Sequence, residues 1–262
     1  GARVLVADLT KSAALNGREG TAGRAQADGS VLVTLDGEST PPRAFAAKNL
    51  CQAPAPLIAR CAAEAFGAAV IVGGGCGAVA LGAPQWGVAA AFGLSVWLGV
   101  LLTKGASGAH LNPAVTAMML WLGDIRLAAS AAYIAAQCAG ATAAAFVLKG
   151  AGATLPAAGV SAANATGIEL WLTFALCAAV LRRRSLDSSR VGDACIAGGV
   201  VALEAYFFGP LTGASMNPAR SLGPALVAGG EALQLLWVYV AGPALGAVLA
   251  LMCKAAIEAK DR

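Results

Sequence analysis

GAHLNPAV at residues 108–115 and GASMNPAR at residues 213–220 nearly repeat one another. Each contains Asn-Pro-Ala, and Asn112 and Asn217 stand 105 residues apart. Asn is a favoured helix N-cap and Pro a favoured first helical residue. NPAVTAMMLW and NPARSLGPAL therefore both read as helix starts that follow a loop. The apolar pieces to which they belong, 110–121 and 217–228, hold about twelve residues each, too few to cross a bilayer but suited to re-entrant segments.

The repeat extends beyond the tripeptide. Glu64 precedes Asn112 by 48 residues, and Glu169 precedes Asn217 by 48. Tyr133 and Tyr239 follow their asparagines by 21 and 22 residues. Longer apolar stretches flank both copies. The 39 uncharged residues between Glu64 and Lys104 make room for two spans joined at LGAPQW, 81–86. Residues 127–148 give a third span, 166–181 a fourth, 194–208 a fifth with Asp193 as its candidate cap, and 234–256 a sixth. Residues 150–165, rich in Gly, Pro, Ser and Asn, read as a loop. Three crossings per half turn the second copy upside down in the bilayer, as in transport proteins built from inverted repeats. The expected fold is an all-α membrane protein of six transmembrane helices plus two re-entrant half-helices, with repeats at about 57–149 and 166–256.

Composition agrees. Hydrophobic residues make up 58% of the chain and charged residues only 12%, about half the share usual in soluble domains. Ala and Gly fill many apolar positions, which lets helix backbones approach closely. The net charge of +4 is spread over short loops with no basic stripe, so no nucleic-acid partner is expected. Seven scattered cysteines without C-x-x-C read as small hydrophobes rather than metal or disulfide sites. Residues 1–56 differ from the rest: eleven charges, many turn formers and no long apolar run. They read as a disordered tail, with GSVLVTLDGEST the one stretch suited to a short strand pair. Starting at Gly1 rather than Met, the sequence reads as missing or processed at its N-terminus. Residues 257–262 read as a C-terminal tail. With six spans and the N-terminus inside, ten Lys or Arg fall on the cytoplasmic side and two, Lys149 and Arg220, on the other. Both termini are thus expected in the cytoplasm, and nothing in the sequence says which membrane holds the chain.

Two half-helices starting near the midplane would point their positive dipole ends at one another. Their loops, GASGAHL and GPLTGASM, would be tolerated only where they line a wet cavity. The expected pore is therefore built on Asn112, Pro113, Ala114, Asn217, Pro218 and Ala219, with both asparagine amides donating at its centre. An ordinary capped core helix explains one such tripeptide, but it does not explain two in matching frames.

At these residues the chain resembles the aquaporins, the major intrinsic protein family. The resemblance rests on SGAHLNPAVT, GASMNPARSLGPAL, AEAFG at 63–67 and YIAAQCAGA at 133–141, and spans about 57–256. It implies a homotetramer with one pore per subunit, passing water or small neutral solutes passively and without a cofactor. It also implies exclusion of protons and cations by an Arg and the half-helix dipoles, a general property of the family. Counting from the motifs as the family does, the narrowest point falls at Phe92, Ala205, Ala214 and Arg220. Ala205 stands where water-selective members often carry His, so the wall should be wider and less polar. The set resembles that of bacterial and plant nodulin-like intrinsic proteins, which pass glycerol, urea or metalloid hydroxides besides water. Ser221 stands where dedicated glycerol facilitators usually carry Asp. A slip of one residue in this register would put Glu204 or Tyr206 in the filter instead. Glu64 and Glu169 match the family's paired glutamates, which brace the re-entrant loops; buried carboxylates need such donors.

His110, the sole histidine, has no partner ligands at metal spacing and is expected to fix its loop beside Asn112, with pore-lining or pH sensing as alternatives. Ser185, Ser188 and Ser189, within RRRSLDSSR, are candidates for phosphorylation at the mouth. One histidine and scattered acids do not make a catalytic set, so the chain is not expected to be an enzyme. The remaining rivals are a strict water channel and a non-conducting structural relative of the same fold.

Overall fold

The computed structural model describes residues 2–7, 13–38, 40–52, 54–184 and 189–260. They divide into two compact units, Gly1–Pro56 and Leu57–Arg262.

The first unit is not a disordered tail. Strands β1 (Arg3–Val6), β2 (Glu19–Ala25), β3 (Ser30–Leu35), β4 (Arg43–Ala46) and β5 (Leu50–Gln52) form an antiparallel sheet in the order β4-β3-β2-β1-β5. Alternation in β3 sends Val33 and Leu35 to one face, where they join Val6 and Phe45 in a small core. Its charges pair rather than repel. Arg3 bridges Asp36 and Glu19, and Glu38 receives Arg18 and Arg43. Order here needs only four buried apolar side chains drawn from three strands, so no long apolar run announced it.

The second unit is helical. It comprises α1 (Leu57–Ala80), α2 (Gln85–Ser107), α3 (Pro113–Trp121), α4 (Leu127–Val147), α5 (Ala162–Arg184), α6 (Arg190–Thr212), α7 (Pro218–Ala228), the short α8 (Gly230–Gln234) and α9 (Val238–Lys260). Among the described residues, six helical stretches are long and apolar enough to cross a membrane: α1, α2, α4, α5, α6 and the run from α8 through α9. The half-helices α3 and α7 are the two short pieces that begin at Pro113 and Pro218.

Three boundaries differ from the sequence reading. Helix α5 starts at Ala162, inside the stretch read as loop. Helix α6 starts earlier than expected because Ser189, not Asp193, caps it: the Ser189 hydroxyl accepts from the Gly192 amide. Asp193 instead binds Lys104 and Arg183. Helix α9 runs on to Lys260, so residues 257–260 are helix rather than tail, helped by a Lys254–Glu258 pair one turn apart. Ser185 and Ser188 lie outside the described residues.

Small residues set the helix spacing. A Cβ on Gly140 of α4 would overlap the Ala65 carbonyl of α1, and one on Gly223 of α7 would lie 2.6 Å from the Ala141 carbonyl carbon of α4. Gly93 of α2 and Gly198 of α6 face each other in the same way. These contacts draw α1 to α4, α2 to α6 and the half-helix α7 to α4.

Candidate functional site: a cavity between two half-helices

Both half-helices begin on their asparagines. Asn112 has extended backbone, and its side-chain oxygen accepts from the Ala114 amide at 2.9 Å. The Asn217 oxygen accepts from the Ala219 and Arg220 amides at 3.0 and 3.3 Å. Each asparagine then donates one of its two amide N–H groups to the opposite loop. Asn112 Nδ2 donates to the Met216 carbonyl at 2.8 Å, and Asn217 Nδ2 donates to the Leu111 carbonyl at 2.8 Å. A cap of one half-helix thus stitches the approach to the other.

The loops adopt unusual backbone to reach this point. Ala109, Leu111, Ala214 and Met216 all have positive φ, two per loop in matching places. Non-glycine residues avoid this region, and the cost persists only where surroundings enforce it. The glutamates do so. Glu64 accepts from the Ser107 hydroxyl at 2.6 Å, the His110 amide at 3.0 Å, the Leu111 amide at 2.6 Å and Gln137 Nε2 at 2.7 Å. Glu169 accepts from the Thr212 hydroxyl at 2.8 Å and the Ser215 and Met216 amides at 2.9 and 2.8 Å. Both carboxylates are fully buried. Tyr133 and Tyr239 complete the repeat by donating to the Ser107 and Thr212 carbonyls, each at 2.8 Å. The Ser107/Thr212 pair and Gln137 were not singled out from sequence. Their signal was their frame, five residues before each asparagine for the hydroxyls.

A cavity of about 300 Å³ runs along these loops. Phe92, His110, Asn112, Ala214, Asn217 and Arg220 line it. Arg220 is buried, with its guanidinium carbon 4.7 Å from the Phe92 ring centroid and its Nη1 donating to the Gly152 carbonyl at 2.9 Å. Phe92, Ala214 and Arg220 therefore meet at the cavity. Ala205 is buried but is not part of the lining; its carbonyl accepts from Gln85 Nε2 at 2.7 Å. Neither Glu204 nor Tyr206 lines the cavity. His110 makes a T-shaped ring contact with Tyr133, and its Nδ1 lies 3.3 Å from the Thr116 hydroxyl. Far from Arg220 in sequence, Lys104, Asp124, Arg183 and Asp193 also border the cavity, so one stretch of its wall is strongly charged. The electrostatics are one-sided at the centre. Two helix N-termini and a buried guanidinium present positive potential, while the neutral Asn amides supply donors.

The family model described as major intrinsic protein matches residues 53–253. Aquaporin NIP1-4 of Oryza sativa subsp. japonica is 43% identical over 168 residues, covering 62% of this chain and 61% of the relative. Thus the chain spans about three fifths of that relative's length. Glycerol uptake facilitator protein-like 6 of Lactiplantibacillus plantarum is 37% identical, with 65% of this chain and 84% of the relative covered. Among solved structures, the aquaglyceroporin from Plasmodium falciparum superposes with a TM-score of 0.70 at 23% identity, covering 74% of this chain and 94% of that one. At that identity the likeness is one of fold.

Proposed function

This chain belongs to the major intrinsic protein family, and we propose that its residues 57–256 form a passive channel for water and small neutral solutes. The single observation that carries the reading is the crossed pair of asparagine amides, set beside a buried Arg220 on the wall of one cavity. A solute passing there exchanges hydrogen bonds with water for bonds to Asn amides, loop carbonyls and the guanidinium. A proton or cation meets two helix N-termini and a fixed positive charge instead. No covalent step and no cofactor is required.

Placement supports the following roles. Asn112 and Asn217 hold the central donors, with Pro113, Ala114, Pro218 and Ala219 starting the half-helices behind them. Phe92, Ala214 and Arg220 set the narrowest point, and Ala205, buried just behind the lining, keeps that wall small where a larger side chain would push into the passage. Glu64, Glu169 and His110 hold the loops. The broadened filter favours glycerol- or urea-sized solutes, in keeping with the likeness to a bacterial glycerol uptake facilitator-like protein. Both termini face the cytoplasm, on the charge asymmetry of the short loops. The assembly is a homotetramer in a lipid bilayer, as the family implies.

Proteoliposomes separate the solute readings. Stopped-flow light scattering under sucrose, glycerol and urea gradients should show wild type passing water and glycerol, with Ala205→His cutting glycerol alone. A wild type that passes water but excludes glycerol and urea would establish the strict water channel instead.

A further inference from the structure

The loop between α4 and α5 touches the re-entrant segment at two residues, Gly152 and Thr154, two positions apart. Gly152 accepts from Arg220 at 2.9 Å, and Thr154 donates from its hydroxyl to Ser221 Oγ at 2.8 Å. Ser221 in turn shares a 2.6 Å hydrogen bond with Ser215 Oγ. Ser215 Oγ donates to the Asn217 carbonyl at 3.0 Å. Thr154, Ser215 and Ser221 are all buried, at 2%, 5% and 0% exposure, so this hydroxyl chain has no competing solvent. It begins in the α4–α5 loop and ends on the backbone of the asparagine that caps α7.

Gly152 cannot hold its own position by side-chain contacts. It has φ +75°, and a Cβ there would lie 2.7 Å from Cys76 Cβ. Its carbonyl reaches Arg220 only because the backbone is free to take this conformation against α1. The Cys76 thiol, a weak donor, reaches the same carbonyl only at 3.7 Å, so a stronger anchor must come from elsewhere in the loop. Thr154 is the nearest buried polar side chain of the loop, and its methyl also packs against Gly213, the C-cap of α6, where a Cβ would come within 3.1 Å.

We propose that Thr154 is a positioning residue for the filter: by anchoring its loop to Ser221, it holds the Gly152 carbonyl against Arg220 and so fixes where the guanidinium stands. This rests on the channel reading above, in which Arg220 sets the narrowest point. It gives the position after Arg220 a physical meaning. A short hydroxyl at 221 accepts the Thr154 anchor and passes it on to Ser215. An Asp there would present a longer, charged acceptor and displace the chain.

Thr154→Val keeps the shape and removes the donor, whereas Thr154→Ser keeps the donor. Two readouts on the full chain test the proposal. Hydrogen exchange over residues 150–161 should rise about fivefold in Thr154→Val, the factor expected from one lost neutral hydrogen bond, and stay near wild type in Thr154→Ser. In proteoliposomes the glycerol-to-water permeability ratio should shift in Thr154→Val and be restored in Thr154→Ser. Unchanged exchange in Thr154→Val, or faster exchange with an unchanged ratio in a conducting channel, would overturn the proposal. If wild type conducts neither solute, the channel reading falls, and exchange alone still decides whether Thr154 anchors the loop.

Discussion

Asn112 and Asn217 each cap their own half-helix with the side-chain oxygen and stitch the opposite loop with the side-chain nitrogen, the two crossed bonds both 2.8 Å long. One side chain therefore does two jobs that Asp, Ser or Thr could not combine. Those residues cap well, but none carries the amide donor.

Replacing either asparagine separates the two jobs. Asn217→Asp keeps the cap and loses the donor to Leu111; Asn217→Ala loses both. The cap alone is worth about 1 kcal/mol, so Asn217→Ala should melt at lower temperature in detergent than Asn217→Asp. Water flux should fall in both. Equal melting temperatures would mean that the cap contributes nothing here.

The braces are more expensive to break. In Glu64→Gln one carboxylate oxygen becomes an NH₂ that faces two existing donors. Charge-assisted hydrogen bonds run at roughly 1.5–3 kcal/mol each, so a loss of about 3 kcal/mol or more is expected from two. Detergent thermal melts should show a drop well beyond that of the asparagine variants. Glu169→Gln should behave alike, since its carboxylate serves the matching loop.

Helix spacing gives a steric prediction. Gly140→Ala forces a methyl into the Ala65 carbonyl. Overpacking of this kind costs about 1–3 kcal/mol, more where backbone rather than side chain must yield. The variant should show reduced folded yield by gel filtration, while Gly167→Ala, whose Cβ meets nothing within 4 Å, should not.

The N-terminal sheet carries the pH dependence. Hydrogen bonding and charge from Arg3 hold the exposed Asp36 carboxyl below its ordinary 3.8. A carboxylate lowered on folding contributes stability above its unfolded value and loses it as pH falls through the folded one. Strand β3 amides should therefore exchange faster as pH drops below about 4, after correction for intrinsic rates. Arg3→Ala should remove most of that acid sensitivity. An acid response identical in the two proteins would contradict the ion-pair explanation.

Some of this was legible from residues alone, and the reasons differ by element. The half-helices α3 and α7 were legible because Asn-Pro is a local signal: cap and first turn lie in adjacent residues. Spans were legible because crossing hydrocarbon demands length and apolarity. The crossed bonds were not, since Leu111 and Met216 contribute only backbone carbonyls, which every residue has. The positive φ of Ala109, Leu111, Ala214 and Met216 likewise carries no mark in residue type, because the surroundings rather than a glycine enforce it. The N-terminal sheet hid for another reason. Its core is four apolar residues spread over three strands, invisible to any window that looks for long runs.

The most direct test is water flux itself. Wild-type protein, shown to be folded, would be reconstituted into liposomes loaded with a pH-sensitive dye and mixed with sucrose in a stopped-flow instrument. The account predicts shrinkage clearly faster than in empty liposomes, with an imposed proton gradient lasting as long as in the empty ones. Shrinkage no faster than in empty liposomes, or collapse of the proton gradient on the same timescale as the water flow, would contradict a passive pore for neutral solutes guarded by Arg220 and two opposed half-helix ends.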